Sequence, residues 1–264
     1  MQKLPFYKYQ GTGNDFVMVD QRESIYLRRT DTNTIARLCH RRFGIGADGL
    51  ILLQQHPDCD FEMVYFNADG GEGSMCGNGG RCIVAFARQL GIIEENCQFI
   101  AVDGPHAARI RPDGWVELQM SDVENVEQGA GSCFMNTGSP HYVEFVDDLG
   151  QINIIQRGRE VRYSKRFKQE GTNVNFVEPF EGGISVATYE RGVEDETLSC
   201  GTGVTASAIA HYLRKPSMGL GPQTVPVRVK GGRLEVRFTP QSGRFTNIWL
   251  CGPALLVYEG VVTL

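Results

Sequence analysis

The sequence predicts an α+β fold of two pseudo-symmetric domains, each with a mixed, strongly curved β-sheet wrapped around a central helix. A cysteine flanked by glycine and followed by a helix-like run of small residues occurs twice, within residues 74–90 and 198–214. Strand-like segments surround both copies. Helices built mainly of small residues suit the inside of a domain better than its surface, so we expect strands to cover both.

In the first half of the chain, strands precede a small-residue helix. Strands are predicted at residues 6–20, 50–53 and 60–66. These segments alternate or run apolar, with aromatic and β-branched residues between Gly, Asn and Asp turns. Residues 32–42 have the apolar spacing of a helix, and a glycine-rich turn at 43–49 leads into the second strand. Residues 82–90 are small and apolar and precede Gly91, which predicts a helix with a glycine stop.

The second half repeats this arrangement. Strands are predicted at residues 142–146, 173–177, 184–190, 225–229, 234–238 and 248–250. A helix of small residues is predicted at 204–214. Residues 74–79 match residues 198–203, and residues 12–17 show a weaker match to residues 172–177. An internal duplication with unequal insertions accounts for both matches.

Composition and charge favour a small-molecule partner. The chain has 264 residues, 41% of them hydrophobic, which is enough for one large domain or two of ordinary size. Charged residues are mixed along the chain, and the net charge of −5 leaves no basic stripe for nucleic acid or an anionic membrane. The N-terminus lacks the pattern of a signal peptide, and no apolar run is long enough to span a bilayer. We therefore expect a soluble, cytoplasmic protein.

The eight cysteines suit a reducing cytoplasm, where they stay as thiols. None of them has the C-x-x-C spacing of a zinc site or a redox motif, so we expect no metal. Five are predicted to be small buried apolar residues, namely Cys39, Cys59, Cys97, Cys133 and Cys251. Cys82 opens an apolar run and is also predicted to be buried. Cys76 and Cys200 differ because glycines follow them, and they are the candidates for catalysis.

A cysteine at the start of a helix has a chemical use. The first N–H groups of a helix lack intrahelical partners and form the positive end of its dipole, so they stabilise a thiolate and can hold a carboxylate. Two such sites in matching halves predict that Cys76 and Cys200 act on opposite faces of one α-carbon. One would remove a proton as the thiolate and the other would deliver a proton as the thiol. Because N–H donors can stabilise the charge that develops on the substrate carboxylate, we expect no cofactor.

The motifs and their order resemble those of the diaminopimelate epimerase family. The matching segments are residues 11–16, 66–70, 75–82, 189–192, 199–203, 252–254 and 258–260. The resemblance implies an N-terminal domain of residues 1–119, joined by a returning C-terminal strand at 255–264, and a C-terminal domain of residues 120–254. It also implies a homodimer that interconverts LL- and meso-diaminopimelate in lysine and peptidoglycan biosynthesis.

The resemblance further implies catalytic roles for four residues. It makes Cys76 and Cys200 the acid–base pair, with His141 assisting the first cysteine and Glu190 also at the site. A histidine near a proline is often only a structural hydrogen-bond partner, and this alternative stays open for His141.

Substrate binding is likewise implied residue by residue. The predicted binding residues are Asn14, Asn67, Gly77, Asn78, Asn173, Glu190, Arg191, Gly201 and Thr202. Four of these are expected to offer main-chain N–H groups to the reacting carboxylate: Gly77, Asn78, Gly201 and Thr202. A substrate with two zwitterionic ends also needs a carboxylate and a guanidinium at its distal end, and Glu190 and Arg191 supply them. The alternative for this pair is an ordinary solvated strand end.

Two positions depart from the family pattern. Ser139 stands where the family has an Asn that helps to bind the distal end, and Gly49 stands where some members have glutamine. The resemblance therefore covers the residues for chemistry at the α-carbon more fully than those for recognition of the distal end.

Three other classes of protein share part of the pattern. Proline racemases and hydroxyproline epimerases resemble residues 200–203 but usually carry histidine where Asn78 stands, and they need no distal clamp. A non-catalytic binding protein of the same fold would lose at least one of the two thiols. Nucleotide binders with glycine loops need a lysine and a spacing that residues 11–13 and 44–46 lack.

Overall fold

The computed structural model describes residues 2–215, 219 and 221–264. The helices are α1 (Thr32–Cys39), α2 (Gly77–Gln89), α3 (Ile154–Arg162) and α4 (Gly201–Leu213). The strands are β1 (Lys3–Gly11), β2 (Asn14–Asp20), β3 (Gly49–Gln54), β4 (Phe61–Asn67), β5 (Asn96–Ala101), β6 (Gly104–Ile110), β7 (Val116–Met120), β8 (Val123–Glu124), β9 (Glu127–Gln128), β10 (Ser132–Asn136), β11 (Pro140–Phe145), β12 (Asn173–Phe180), β13 (Gly183–Glu190), β14 (Asp195–Thr197), β15 (Gln223–Val229), β16 (Gly232–Gln241), β17 (Arg244–Gly252) and β18 (Leu255–Thr263).

The chain divides into two compact units. Unit 1 contains the residues up to Leu118 together with Gly252–Leu264, and unit 2 contains Gln119–Cys251. Each unit has its own apolar core. Core residues of unit 1 include Val17, Leu50 and Phe66, and those of unit 2 include Val143, Ile209 and Leu250. Among the described residues, every helix is too short or too polar to cross a membrane.

In unit 1 the strands pair in chain order. β1 pairs antiparallel with β2, β2 parallel with β3, β3 antiparallel with β4, and β4 parallel with β5. β5, β6 and β7 then follow as an antiparallel run. The C-terminal strand β18 lies in this unit, where it pairs antiparallel with β1 from Lys3↔Thr263 to Gln10↔Leu255.

Unit 2 has the same order of pairings. β10 pairs antiparallel with β11, β11 parallel with β12, β12 antiparallel with β13, and β13 parallel with β15. β15, β16 and β17 continue as an antiparallel run. The central helix comes at the same point in each half of the chain, between β4 and β5 as α2 and between β13 and β15 as α4.

Both central helices are covered by strands. α2 packs against β1, β2, β3, β4, β6 and β18, whereas α4 packs against β10, β11, β12, β13, β15 and β16. Ten of the thirteen residues of each helix are buried. Helices buried on all sides require small residues for close packing, which explains their composition. The predicted fold class, with a mixed sheet around a central helix in each half, is confirmed.

The strand pairing changes one detail of the internal repeat. The parallel ladder of β2 with β3 begins at Phe16↔Gly49, and that of β11 with β12 begins at His141↔Asn173. β2 therefore corresponds to β11, and β3 to β12. The predicted match of residues 12–17 to residues 172–177 is wrong. Both segments look alike because each is a strand opening with Thr and Asn, but pairing order, not local composition, defines the repeat.

The helix boundaries also differ from those predicted. α2 begins at Gly77 and α4 at Gly201, earlier than the predicted starts at residues 82 and 204. The glycines that follow each cysteine are thus part of the helix, although glycine has low helix propensity. α1 ends at Cys39, before the predicted end at residue 42, because His40 is extended. α3 was not predicted, since only Ile154 and Gly158 of its residues are buried and no apolar periodicity results.

Candidate active site

Cys76 lies at the N-terminus of α2 in unit 1. It is the N-cap residue, with extended backbone, and its carbonyl accepts the first intrahelical hydrogen bond from the Gly80 N–H at 2.7 Å. The main-chain N–H groups of Gly77, Asn78 and Gly79 therefore precede the hydrogen-bond ladder of the helix. The half-buried thiol sits at the positive end of the helix dipole, where a thiolate is stabilised.

Cys200 has the same position in unit 2. It is the N-cap residue of α4, and its carbonyl accepts a hydrogen bond from the Val204 N–H at 2.9 Å. The N–H groups of Gly201 and Thr202 lie in the first turn of the helix. The sequence-based prediction that both cysteines open a helix is confirmed.

Amide side chains surround Cys76. Its Sγ lies 3.6 Å from Asn14 Oδ1, which also accepts a 3.2 Å hydrogen bond from Asn78 Nδ2. Asn78 Oδ1 accepts in turn from the guanidinium of the fully buried Arg81 at 3.1 Å. On its other side, Asn14 Nδ2 donates to Asp48 Oδ2 at 2.8 Å. The predicted binding residues Asn14 and Asn78 thus form one network with Cys76, which we call the Cys76 half-site (Cys76, Asn14, Asn78, Arg81 and Asp48).

A second network leads to Cys200. Its Sγ lies 3.5 Å from Thr202 Oγ1, which is 2.9 Å from His141 Nε2. His141 Nδ1 is 3.0 Å from Asn175 Nδ2, and Asn175 Oδ1 accepts a 2.9 Å hydrogen bond from Thr188 Oγ1. We call these residues the Cys200 half-site (Cys200, Thr202, His141, Asn175 and Thr188).

Burial keeps His141 neutral. The ring is fully buried, and this burial, followed by the positive charge of Arg191, lowers the pKa of His141 to about 3. Within unit 2 its described hydrogen bonds lead to Cys200 through Thr202. The assistance of His141 to the first cysteine stays a prediction.

Sequence reasoning did not single out Asn175 or Thr188. Asn175 lies two residues after Asn173 on β12, so both face the same side of the strand. A polar residue repeated on one face of an otherwise apolar strand is the signal that could have pointed to Asn175. Thr188 pairs directly with Asn175 across the ladder from β13, and no pattern along the chain indicates that pairing.

The predicted distal residues occupy the ends of corresponding strands. Asn67 ends β4 and is exposed, whereas Glu190 ends β13 and is half-buried. The exposed Arg191 follows, and its Nη1 donates to the Glu170 carbonyl at 2.9 Å. Asn173 Oδ1 accepts a 2.9 Å hydrogen bond from the Arg191 main-chain N–H, which fixes the turn that carries this arginine.

Both departures from the family pattern have local structural partners. Ser139 Oγ accepts a 2.9 Å hydrogen bond from Asn173 Nδ2. A Cβ added to Gly49 would lie 2.5 Å from both the Phe66 carbonyl oxygen and Tyr65 Cε2. The Tyr65 ring therefore occupies the space into which a longer side chain at position 49 would extend.

The remaining cysteines are mostly buried, as predicted. Cys39, Cys82, Cys97, Cys133 and Cys251 are buried, while Cys59 is half-buried, so the prediction of a buried Cys59 is wrong. Burial raises the pKa of the thiols of Cys39, Cys82 and Cys97 to about 12. These three side chains stay protonated at neutral pH. Within the described ranges, no group of three or more His, Cys, Asp or Glu side chains is arranged to hold a metal ion.

Two comparisons with solved structures support the fold. The chain superposes on a phenazine biosynthesis protein of the PhzF family from Bacillus anthracis with a TM-score of 0.77, at 16% identity and with full coverage of both chains. It superposes on a hydroxyproline epimerase from Agrobacterium vitis with a TM-score of 0.68, at 15% identity, covering 99% of this chain and 93% of that one. At such identities the likeness shows the fold alone.

Sequence comparisons identify the family. The family model of diaminopimelate epimerase matches residues 6–126 and 133–257. The diaminopimelate epimerase of Flavobacterium psychrophilum is 50% identical over 260 residues, covering 98% of this chain and all of that protein. That of Chlorobaculum tepidum is 42% identical over 264 residues, covering 96% of this chain and 99% of that protein. The chain therefore belongs to the diaminopimelate epimerase family.

Proposed function

We propose that this protein is a diaminopimelate epimerase, an isomerase that interconverts LL- and meso-diaminopimelate by inverting one α-carbon. The observation that carries this proposal is the pair of cysteines at the N-termini of two buried helices, in a chain 50% identical to a relative of that name over nearly its full length. We further propose that the reaction needs no cofactor.

In the proposed mechanism each of the two cysteines carries out one proton transfer. One cysteine, as the thiolate, removes the α-proton from one face, and the other, as the thiol, protonates the opposite face. The roles exchange when the reaction runs in reverse. The α-proton of an amino acid is weakly acidic, so the charge that moves onto the carboxylate must be stabilised by preorganised donors. Main-chain N–H groups of Gly77, Asn78, Gly201 and Thr202 are proposed to supply them.

The distal end of the substrate is proposed to be held by charged and amide groups. Glu190 is opposite in charge to the distal ammonium and Arg191 to the distal carboxylate, with Asn67 beside them as a further polar contact. Asn14 is proposed to act nearer the reaction centre, since its Oδ1 lies 3.6 Å from Cys76 Sγ. For Asn173 a positioning role is better supported than a direct contact, because its amide already bonds to Ser139, to the Pro140 carbonyl and to Arg191.

Isotope exchange tests the proposal. The protein is incubated with LL-diaminopimelate in deuterated water without added cofactor, and the products are separated and analysed by mass spectrometry. We expect meso-diaminopimelate with deuterium at one α-carbon. Exchange of proline or hydroxyproline, with diaminopimelate returned unlabelled and unchanged, would contradict the proposal and favour a racemase of the related architecture.

Single cysteine variants test the two-base mechanism. Cys76→Ala and Cys200→Ala are each expected to lose epimerisation. Cys59→Ala is the matched control, because Cys59 lies outside both helix N-termini and its thiol is half-buried like that of Cys76. Normal turnover in either active-site variant, or loss of turnover in the control, would contradict the assignment.

The family resemblance also supports a homodimer in the cytoplasm. Sedimentation equilibrium should give twice the chain mass of 29.3 kDa. A monomer mass over the working concentration range would contradict this part of the proposal.

A further inference from the structure

Groups that can only donate or only accept determine the hydrogen-bond directions around Cys76. The Arg81 guanidinium has no acceptor, so the Asn78 atom 3.1 Å from it is the oxygen Oδ1. Asn78 Nδ2 then points to Asn14 Oδ1 at 3.2 Å. At the other end, Asn14 Nδ2 donates to Asp48 at 2.8 Å. Both ends give Asn14 the same orientation, with its oxygen 3.6 Å from Cys76 Sγ.

The contacts of Asp48 with other donors show that it acts as an acceptor toward Asn14. Asp48 Oδ1 accepts from Arg41 Nη2 at 2.7 Å, and Asp48 Oδ2 accepts from the Asp15 main-chain N–H at 3.2 Å. The Asn14 amide is therefore prevented from turning its nitrogen toward Cys76. An amide oxygen accepts a hydrogen bond from a thiol and repels a thiolate, so the Cys76 half-site favours the S–H form of Cys76.

The hydrogen-bond directions around His141 are determined in the same way. The Tyr142 carbonyl can only accept, so the Asn175 atom 3.1 Å from it is the amide nitrogen Nδ2. The second N–H of that nitrogen faces His141 Nδ1 at 3.0 Å, and Thr188 donates to Asn175 Oδ1. His141 Nδ1 is thus an acceptor without a proton. Because the buried ring is neutral, its one proton is on Nε2.

This tautomer sets the direction of the hydrogen bond between His141 and Thr202 and leaves the Thr202 hydroxyl proton free to point to Cys200. The Nε2–H of His141 donates to Thr202 Oγ1 at 2.9 Å. With that lone pair occupied, the Thr202 hydroxyl can direct its own proton to Cys200 Sγ at 3.5 Å. A hydroxyl donor stabilises a thiolate, so the Cys200 half-site favours the S⁻ form of Cys200.

We propose that the two half-sites have opposite resting protonation, with Cys76 as the thiol and Cys200 as the thiolate in the free protein. Both sulfurs lie at a helix N-terminus, so the helix dipoles favour a thiolate at each and do not create the difference. We attribute the difference to the amide oxygen at Cys76 and the hydroxyl at Cys200. Asn175 and His141 are positioning residues in this scheme, since they act on Cys200 through Thr202.

The catalytic consequence rests on the proposed function. A free enzyme with Cys200 as the thiolate is ready to deprotonate the epimer that presents its α-hydrogen to Cys200. The other epimer requires the proton to move from Cys76 to Cys200 first. The protonation difference itself does not depend on the identity of the substrate.

Alkylation of the two thiols by iodoacetamide measures this difference without turnover. Cys200 is followed in the Cys76→Ala variant and Cys76 in the Cys200→Ala variant, because two interacting thiols titrate as a pair. Initial rates are determined by peptide mass spectrometry from pH 5 to 10 and normalised to the high-pH plateau, which removes differences in access. The midpoint of each thiol is the pH at which its alkylation rate is half of the plateau value. We expect the midpoint for Cys200 to lie about one pH unit or more below that for Cys76. Equal midpoints, or the reverse order, would overturn the proposal.

Variants of Thr202 test the donor at Cys200. In the Cys76→Ala background, Thr202→Val removes the hydroxyl at nearly constant shape and should raise the Cys200 midpoint by about one pH unit. Thr202→Ser keeps the hydroxyl and should leave the midpoint in place. An unchanged midpoint in Thr202→Val would show that the hydroxyl does not stabilise the thiolate.

Asn175→Asp tests the tautomer. A carboxylate at this position accepts from His141 Nδ1, so Nε2 loses its proton and the Thr202 hydroxyl turns away from the sulfur. The Cys200 midpoint should then rise as it does in Thr202→Val. A folded Asn175→Asp variant with the wild-type midpoint would overturn the role of Asn175. If this buried charge prevents folding, His141→Gln, whose Nε2 can still donate to Thr202, should keep the low midpoint, and a raised midpoint would overturn the relay.

The alkylation experiment and the exchange experiment test separate claims, so either claim can fail while the other stands. If diaminopimelate is not epimerised while the Cys200 midpoint is low, the proposed function falls and the protonation difference stands. If diaminopimelate is epimerised while the two midpoints coincide, the function stands and the protonation difference falls.

Discussion

Asn173 Oδ1 accepts a 2.9 Å hydrogen bond from the main-chain N–H of Arg191, which joins the start of β12 to the turn after β13. The amide nitrogen of the same side chain donates to Ser139 Oγ at 2.9 Å and to the Pro140 carbonyl at 3.1 Å. One buried asparagine thus holds together the start of β12, residues 139–140 and the turn that carries Arg191. A serine at position 139 completes this network with its single hydroxyl.

Asn173→Ala should therefore weaken substrate binding without direct loss of a catalytic group. We expect the KM for diaminopimelate to rise by about tenfold and kcat to change less, because the Glu190–Arg191 turn loses its anchor. Steady-state kinetics measures both. Asn153→Ala is the control, since Asn153 caps the exposed end of α3 through Gln156 N–H and its loss should cost only about 1 kcal/mol of stability. A tenfold fall in kcat at unchanged KM would contradict a positioning role for Asn173.

Gly79 and Gly203, each three residues after its proposed catalytic cysteine, should respond differently to substitution by alanine. A Cβ on Gly203 would lie 2.3 Å from Asn175 Oδ1 and 3.3 Å from His141 Cε1. A Cβ on Gly79 would meet Ile51 Cδ1 at 3.0 Å and Met63 Cε at 3.3 Å, which are the ends of flexible side chains.

Gly203→Ala should thus be about 2 kcal/mol more destabilising than Gly79→Ala, because the Asn175–His141 pair has no room to move. The gain in helix propensity is the same in both variants and cancels. Urea unfolding measures the difference, and alkylation of Cys200 should report the displaced network in Gly203→Ala alone. Equal stabilities would show that the Cys200 half-site yields as easily as the apolar side chains around Gly79.

Much of the fold can be predicted from the sequence because its two central helices have a distinctive composition. Small residues after a cysteine and glycines indicate a buried helix, and this prediction holds for α2 and α4. The helix starts could not be placed, because a run such as Gly77-Asn78-Gly79-Gly80 has low helix propensity and becomes helical only through packing against the sheet. β5, β6, β7 and β10 were not recognised, and the repeat was misaligned at residues 12–17, because strand pairing depends on partners distant in the chain.

Part of the candidate site can likewise be predicted from the sequence, and part of it depends on contacts in three dimensions. Cysteines that open helices can be recognised from their spacing, whereas the charged pair Glu190–Arg191 becomes a candidate clamp only through the family resemblance. The role of Asn175 could not be predicted, since its amide orientation depends on the Tyr142 carbonyl of the neighbouring strand. Hydrogen-bond direction depends on the three-dimensional contacts of both partners, which sequence patterns do not contain.

His141 should make the protein less stable as the pH falls below neutral. The folded-state pKa is about 3, whereas histidine in an unfolded chain has a pKa near 6.5. Below about pH 6.5 the unfolded state takes up a proton that the folded state does not, so stability is full above that pH and is lost as the pH falls. Between pH 7.5 and pH 5 this costs about 2 kcal/mol.

His141→Gln should remove that contribution, because glutamine does not titrate. Urea unfolding of both proteins at the two pH values measures it, and wild type should lose about 2 kcal/mol more than the variant. His56→Gln is the control, since His56 is a half-buried histidine outside both half-sites, and the loss between the two pH values should stay as in wild type. Parallel losses in wild type and His141→Gln would contradict a buried, neutral His141.

Asp15 should affect stability in a different pH range. Burial opposes its ionisation, but hydrogen bonds from Arg41 and Lys8 outweigh this and hold the pKa of Asp15 well below its usual range. Such a carboxyl stabilises the fold fully above about pH 5, and the contribution is lost as the pH falls below about 4.

Asp15→Asn leaves the buried Lys8 without its 2.7 Å partner, so we expect a loss of about 3 kcal/mol at pH 7 that narrows by about 1 kcal/mol at pH 3. Urea unfolding at both pH values measures this, with Asp20→Asn as the control for a more exposed ion pair, which should cost less than about 1 kcal/mol. A loss in Asp15→Asn that stays the same at pH 3 would mean that Asp15 is not the group whose ionisation stabilises unit 1.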